Sequence, residues 1–494
     1  MSGKNSIWPS LSSKQVDRSL RAHSIMGLAI SALLFIVCLS GTVAVFEDEL
    51  GWWELPSTPM VTSVSPEAAQ NALERAVAQD EGTTHAYLYL PRENWPRFVV
   101  ATDNDVHAAD ATGQLVGGYE TAWNDFLIHL HYYLHLPETF GMVIVAILGV
   151  FLVSMAISGV LAHPRIFRDA FRLKRLGGAR IVQADLHNRM SVWTAPFHII
   201  VAATGAMIGL FAVVAYVLAL SSFEGDTRAL SEAVFGEEPP VNKAPAPMAR
   251  MDTAMTNLAG IAPDAPAFLA ILHDPGTQGQ HIGIYGEHMD RLIYGETYEF
   301  TAEGDYTGHQ GASDGELGQQ IANSMYRAHF GDFGSHWMKI AYFVLGGILC
   351  VIISSGMNIY FVKSAEKGNA RPRMEAGWSG FVWGSCCMLA VTLALALLGS
   401  GAGLLTPIFW IGTIVISLAA AMFGQAGRAG NVLRPALGAL LVICGVLHIS
   451  MHSASYGNLY IAFTTVVIII GGLGLLGYGL KDLSAIRSNE TRAA

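Results

Sequence analysis

The sequence predicts a polytopic α-helical membrane protein of about eight transmembrane helices, with two small α+β inserts and an internal duplication in the first four spans. Three observations carry this. The chain of 494 residues is 52% hydrophobic and only 14% charged, too apolar for an ordinary soluble enzyme. Apolar runs long enough to cross about 30 Å of hydrocarbon recur along it. Histidines and small-residue pairs recur at matching intervals in two halves.

In chain order, residues 1–46 hold a basic N-terminus and the first span, 47–137 the first insert with an amphipathic return helix, and 138–162 the second span. A basic loop fills 163–186, the third span 187–220, the second insert 221–336 and the fourth span 337–362. A loop at 363–377 leads to a block of four further spans at 378–480 and a tail at 481–494. Lys4, Lys14, Arg18, Arg21, the run Arg165, Arg168, Arg172, Lys174, Arg175 and Arg180, then Lys363, Lys367, Arg371, Arg373, Arg428, Arg434, Lys481 and Arg487 flank the spans on one side. The positive-inside rule puts that side, and both termini, in the cytoplasm. The inserts then lie outside. The first apolar run is long and lacks a cleavage site, so it reads as a retained span. With a net charge of −10, no nucleic-acid partner is expected. The five cysteines, Cys38, Cys350, Cys386, Cys387 and Cys444, all fall in spans and so form no disulfide framework outside the membrane.

The first insert opens its helix at SPEAAQNALERAVAQ, with Ser65 as N-cap and Pro66 at the first helical position. Strands THAYLYLP and RFVVAT follow, then DNDVHAADATGQLVGG with a turn at Asp110 to Gly113. The second insert repeats the order: a linker, EEPPVNKAPAPM, a helix near Met251 to Ala259, and strands FLAILHD, IGIYGEH and RLIYGETYEF. Each insert returns through an amphipathic stretch, WNDFLIHLHYYLHLP and MYRAHFGDFGSHWMK. The first is expected to lie along the outer surface and to end before Pro137.

The chemistry resides in the histidines. His187 precedes Thr204-Gly205 by the interval that separates His23 from Ser40-Gly41, and His131 and His329 stand at nearly equal intervals before Ser158-Gly159 and Ser355-Gly356. Two of these four histidines belong to inner helix ends and two to outer ones. That is the pattern for axial ligation of two b-type haems, His23 facing His187 and His131 facing His329. Gly27, Gly41, Gly159, Gly205 and Gly356 would let the flat ring of the porphyrin approach the backbone. No CxxCH occurs, which argues against covalent attachment. His198 follows His187 by about 1100° of helical rotation and about 16 Å, so both imidazoles are expected to share a face. His198 is therefore a further candidate, as ligand of the deeper haem. The competing metal reading is zinc or copper at His129, His131 and His135, which lack a carboxylate or thiolate nearby. His448 and His452 share a helix face that suits a quinone, a metal or a structural tie. No dinucleotide fingerprint or P-loop is present, so electrons would come from a cytoplasmic reductase or from quinol.

These residues resemble the PepSY-associated transmembrane helix family. The resemblance rests on RAHSIMGL with SGTVAVFEDELG, SPEAAQNALERA with DATGQLVG, LHYYLHLP, DLHNRMSVW with TG, and AHFGDFGSHW with SSG, over residues 15 to 365. It implies a bacterial inner-membrane di-haem protein with periplasmic PepSY-like inserts, related to ferric-siderophore reductases and iron-regulated proteins. The histidines it implies as ligands are His23, His131, His187 and His329. The block from about 375 to 480 departs from the family pattern and leaves the reaction partner open. Two other classes compete: a sensor whose inserts bind a ligand while the histidines are structural, and a transporter built on the extra spans. The transporter reading needs ionisable residues in those spans, which hold almost none apart from His448.

Overall fold

The computed structural model describes residues 12–163, 179–226, 229–230, 242–287, 292–310, 313, 315, 317–334, 336–424 and 428–493. Lys4, His288, part of the linker and five cations of the basic loop, Arg165, Arg168, Arg172, Lys174 and Arg175, lie outside the described residues. The chain divides into two units. One comprises Met1–Glu47, Ala122–Gly209 and Lys339–Ala494, the other Asp48–Thr121 and Leu210–Met338.

The first unit is helical and membrane-embedded. Helix α1 (Ser13–Ala44) starts at a capping box, in which the Ser12 hydroxyl accepts from the Gln15 amide and the Gln15 side chain accepts from the Ser12 amide. Helix α2 (Glu47–Glu54) and helix α3 (Pro66–Gln79) belong almost wholly to the second unit. Helix α4 (Ala122–Tyr133) and helix α5 (Glu138–Ala162) return to the first. Helices α6 (Ala179–Trp193) and α7 (Ala195–Gly209) follow, then α8 (Phe211–Ser222) and α9 (Met251–Ile261). The rest are α10 (Leu317–Phe330), α11 (His336–Glu366), α12 (Pro372–Leu397), α13 (Ala402–Phe423), α14 (Arg428–Met451) and α15 (Leu459–Ala493). Among the described residues seven helices are long and apolar enough to cross a membrane, or eight if the bent pair α6 and α7 counts as one span.

The third span departs from expectation. Residues 187–220 are not one helix, because α6 and α7 meet at 67° around Thr194. Pro196 is the cause: it has no amide to donate to Val192 and its ring crowds that carbonyl, so the helix must stop and restart. The Thr194 hydroxyl bonds back to the Met190 carbonyl (2.6 Å), which bends the chain further. At 12 residues, or about 18 Å, α8 is too short to span the hydrocarbon. Helix α4 turns one face into the helical unit, burying Trp123, Asn124, Phe126, Leu127 and Leu130, while Tyr132 on the other face is exposed.

The second unit is built on one antiparallel sheet. The strands are β1 (His85–Tyr89), β2 (Phe98–Thr102), β3 (Val106–Ala109), β4 (Leu115–Gly118), β5 (Ala267–His273), β6 (His281–Gly286), β7 (Glu296–Phe300) and β8 (Tyr306–Gln310). Their order is β4-β3-β2-β1-β5-β6-β7-β8. The two inserts are therefore not separate modules. Each supplies a four-stranded meander, and the first strands of the two pair from His85↔His273 to Tyr89↔Leu269. Either meander alone would leave that edge with unpaired backbone groups; joining satisfies both. The period-2 pattern then turns one face inward. Leu88, Val100, Leu272 and Ile284 pack with Leu73 of α3 and Met251 and Leu258 of α9. Gln70 ties the two helices: its amide donates to the Ala249 carbonyl (3.1 Å) and its oxygen accepts from the Asp252 amide (3.3 Å).

The Asp110 to Gly113 turn forms as read. Asp110 accepts from the Thr112 and Gln114 amides, and Gly113 has φ +80°, where a Cβ would collide with the Ala68 carbonyl of α3. Gly113→Val should destabilise this unit by about 2–4 kcal/mol, from left-handed strain plus the clash. Thermal melting of the full chain followed by β-sheet circular dichroism checks it.

At the junction of the meanders, His85, His273 and His281 are neighbours on three strands. The His273 and His281 rings stack at 4.4 Å and 1°, and His85 meets His273 edge-on at 5.2 Å. Burial, reinforced by the two neighbouring imidazoles, lowers the His273 pKa to about 4. The folded chain thus refuses a proton that the unfolded chain accepts from about pH 6.5 downward. Stability from this group is complete above pH 6.5 and falls as pH drops toward 4. The amide protection factors of β1 and β5, which correct exchange for its intrinsic pH dependence, should fall over that window in the wild type and fall less in His273→Phe.

Candidate functional site

A helix carbonyl has two lone pairs, one used by the amide four residues on. The second is reachable from the side only where no Cβ blocks the approach. In α1 the Val37 carbonyl meets Nδ1 of His131 at 2.9 Å, and the residue four on is Gly41. A Cβ there would lie 2.5 Å from His131 Cε1. In α5 the Met155 carbonyl meets Nδ1 of His23 at 3.0 Å, with Ser158 Oγ at 3.3 Å, beside Gly159. In α11 the Ile352 carbonyl meets Nδ1 of His187 at 3.0 Å, with Ser355 Oγ at 3.1 Å, beside Gly356. Cβ atoms at Gly159 and Gly356 would each lie 3.3 Å from the imidazole Cε1. The ring that these three glycines admit is thus a histidine. At Gly27 nothing lies within 4 Å.

The bonds fix the tautomer. A carbonyl only accepts, so Nδ1 carries the hydrogen and the lone pair of the neutral ring is on Nε2 in all three. His23 and His187 come together, with ring centroids 6.3 Å apart at 84°. His131 docks on α1 fourteen residues beyond His23, about 21 Å along the helix. The helical unit therefore holds a histidine pair at one depth and a third histidine at another. The same backbone motif recurs in α7, where Thr204 bonds the Val201 carbonyl (3.2 Å) ahead of Gly205. His329 lies in the other unit, near the end of α10, with its ring 5.6 Å from Phe330.

His198 does not share a face with His187, because the Pro196 break lies between them. It is 5% exposed, its Nδ1 lies 3.4 Å from Thr194 Oγ1, and its Nε2 is buried with no hydrogen-bond partner among the described residues. A buried imidazole nitrogen without a partner suits a metal-bearing group. Sequence reading missed the buried pair beside His187, Arg189 Nε donating to Asp185 at 2.7 Å, although its i,i+4 spacing was a visible signal.

His135, His448 and His336 have ordinary partners. His135 uses both nitrogens, on the Phe126 carbonyl (2.9 Å) and Thr406 Oγ1 (3.1 Å), which removes it from a zinc or copper site with His129 and His131. Among the described residues no three His, Cys, Asp or Glu side chains are placed to hold a metal ion. His448 Nδ1 meets the Tyr456 hydroxyl (2.7 Å), which in turn meets Thr465 (2.9 Å), tying α14 to α15. His336 is exposed, 4.0 Å from Glu49.

Helices cross-linked by histidine-to-carbonyl bonds at Ser-Gly steps, with an antiparallel sheet unit inserted between them in sequence, define a polytopic membrane protein with imidazole sites at two depths. The chain belongs to the PepSY-associated TM region family, whose model matches residues 20–363. It is 27% identical over 287 residues to the uncharacterized protein PA4219 of Pseudomonas aeruginosa, covering 56% of this chain and 72% of that one. Every histidine considered as a haem ligand falls inside the family region, whereas α12 to α15 lie beyond it.

Proposed function

We propose that this is an inner-membrane di-haem b electron-transfer protein that reduces a ferric siderophore or another periplasmic ferric chelate. The observation that carries the reading is the pairing of His23 and His187 with both Nδ1 atoms committed to backbone carbonyls, which leaves Nε2 as the ligating nitrogen. His131, held the same way, serves the second haem. The sequence repeat assigns His329 as its partner, and His198 is the alternative ligand for its orphaned Nε2. When bound, two b-type haems supply one-electron transfer along the membrane normal. The protein's residues hold the iron, and the apolar helices exclude water from it. Electrons enter from a cytoplasmic reductase or quinol, and the termini face the cytoplasm. Reducing Fe(III) to Fe(II) in a chelate of hard oxygen donors weakens its hold and frees the iron.

A second reading has support in the same bonds, since histidine-to-carbonyl links also serve as structural ties in a non-catalytic sensor. A reduced-minus-oxidised absorption spectrum with a haem count per chain decides between them. Two b-type haems are expected. A haem-free purified chain sinks the redox reading.

A further inference from the structure

Helix α4, which carries His131, is held at both ends by the helices beyond the family region. At its start, the Trp123 indole N–H donates to Thr392 Oγ1 (3.1 Å) and the Leu389 carbonyl (3.2 Å) of α12. Just past its end, His135 reaches α13. Its Nε2 lies 2.9 Å from the Phe126 carbonyl, which only accepts, so Nε2 carries the hydrogen. Its Nδ1 must then accept from the Thr406 hydroxyl at 3.1 Å. The His135 ring also stacks on Phe126 (4.9 Å, 17°), and Phe126 meets Phe409 of α13 edge-on at 5.7 Å.

This arrangement requires an unusual backbone. Leu134 and His135 both have positive φ, 57° and 55°, a conformation that non-glycine residues hold only when the surroundings enforce it. The chain curls back here, so that the imidazole folds under α4 and meets α13. Between the two anchors stands His131, whose contact with α1 tolerates little rotation, since Gly41 already leaves room for no more than the ring.

We propose that the C-terminal helices α12 and α13 act as a brace that sets the orientation of the His131 imidazole, with Trp123, His135 and Thr406 as positioning residues. This rests on the di-haem reading above. It gives the extra block a role in tuning the second haem, in place of a separate transport or substrate site. The bond to Thr406 is directional, so a side chain of equal size without the hydroxyl removes the aim of α4 while keeping its packing.

The test uses full-length protein in detergent: wild type, Thr406→Val, Thr406→Ser and Trp123→Phe, with low-spin electron paramagnetic resonance and redox titration as readouts. Wild type should show two haem signals. Thr406→Val and Trp123→Phe should each shift the g-values and midpoint potential of one signal and leave the other unchanged, and Thr406→Ser should restore the wild-type pattern. Should Thr406→Val fail to fold by thermal melting, Trp123→Phe carries the test alone. Two unaltered signals in folded variants overturn the brace with the di-haem reading intact. A wild-type chain without haem overturns both.

Discussion

Replacing His187 with alanine is expected to lower the haem content of the purified chain from two to one and to abolish one low-spin signal. The side chain does two things at once. Its Nδ1–H occupies the Ile352 carbonyl and Ser355 hydroxyl, and its Nε2 is aimed away from them next to His23. Losing the first removes one hydrogen bond to α11, where Ser355 Oγ still donates to the Ile352 carbonyl at 2.9 Å, and costs about 0.5–1.5 kcal/mol. Losing the second removes an iron ligand outright. These separate experimentally: His187→Gln can keep a hydrogen bond to α11 but not the imidazole, so its melting temperature should approach wild type while the haem stays absent. Pyridine haemochrome assay and thermal melting measure the two effects. A His187→Ala chain that retains two low-spin haems would remove His187 from the ligand set.

The second large effect is expected from the smallest change. Gly41→Ala adds one methyl carbon, 2.5 Å from Cε1 and 2.8 Å from Nδ1 of His131, far inside van der Waals contact. Neither neighbour can yield cheaply, since the ring is bonded to the Val37 carbonyl and α1 is a continuous helix. The imidazole must leave its bond, and the haem that depends on it should be lost as fully as in His131→Ala. At Gly159 and Gly356 the same methyl would meet the ring at 3.3 Å, which a shift of a few tenths of an ångström accommodates. Alanine there should retain the haem and cost about 1 kcal/mol or less. Haem counts for Gly41→Ala, Gly159→Ala and Gly356→Ala, compared side by side, measure this ordering. Equal retention in all three would show that His131 is not held as described.

Much of the molecule was legible because membranes impose a simple code. Hydrocarbon thickness sets the length of apolar runs, so the spans of α1, α5 and α11 to α15 could be read from composition alone. The repeat of histidine and Ser-Gly pairs pointed to His23 and His187, whose rings lie 6.3 Å apart. What the spacing left open was which small-residue pair each histidine meets. His23 docks on Ser158-Gly159 of α5 and His187 on Ser355-Gly356 of α11, each on another helix and not at the small-residue pair of its own chain segment. His131 reaches back across 94 residues to α1. Helical periodicity describes one helix at a time and carries no information on the facing one.

The sequence by itself determined the membrane class, the duplicated histidine pattern, the Ser65 helix start and the Gly113 turn. Each follows from local chemistry, namely hydrophobic length, capping and permitted φ. Only the tertiary structure decided that the two inserts share one sheet, since edge pairing between β1 and β5 depends on strands about 180 residues apart. It also decided that Pro196 turns His198 away from the His187 face, and that α4 is clamped by helices from the far end of the chain. Long-range pairing and the direction of a hydrogen bond depend on what stands opposite a residue. That is a property of the folded chain and not of any stretch within it.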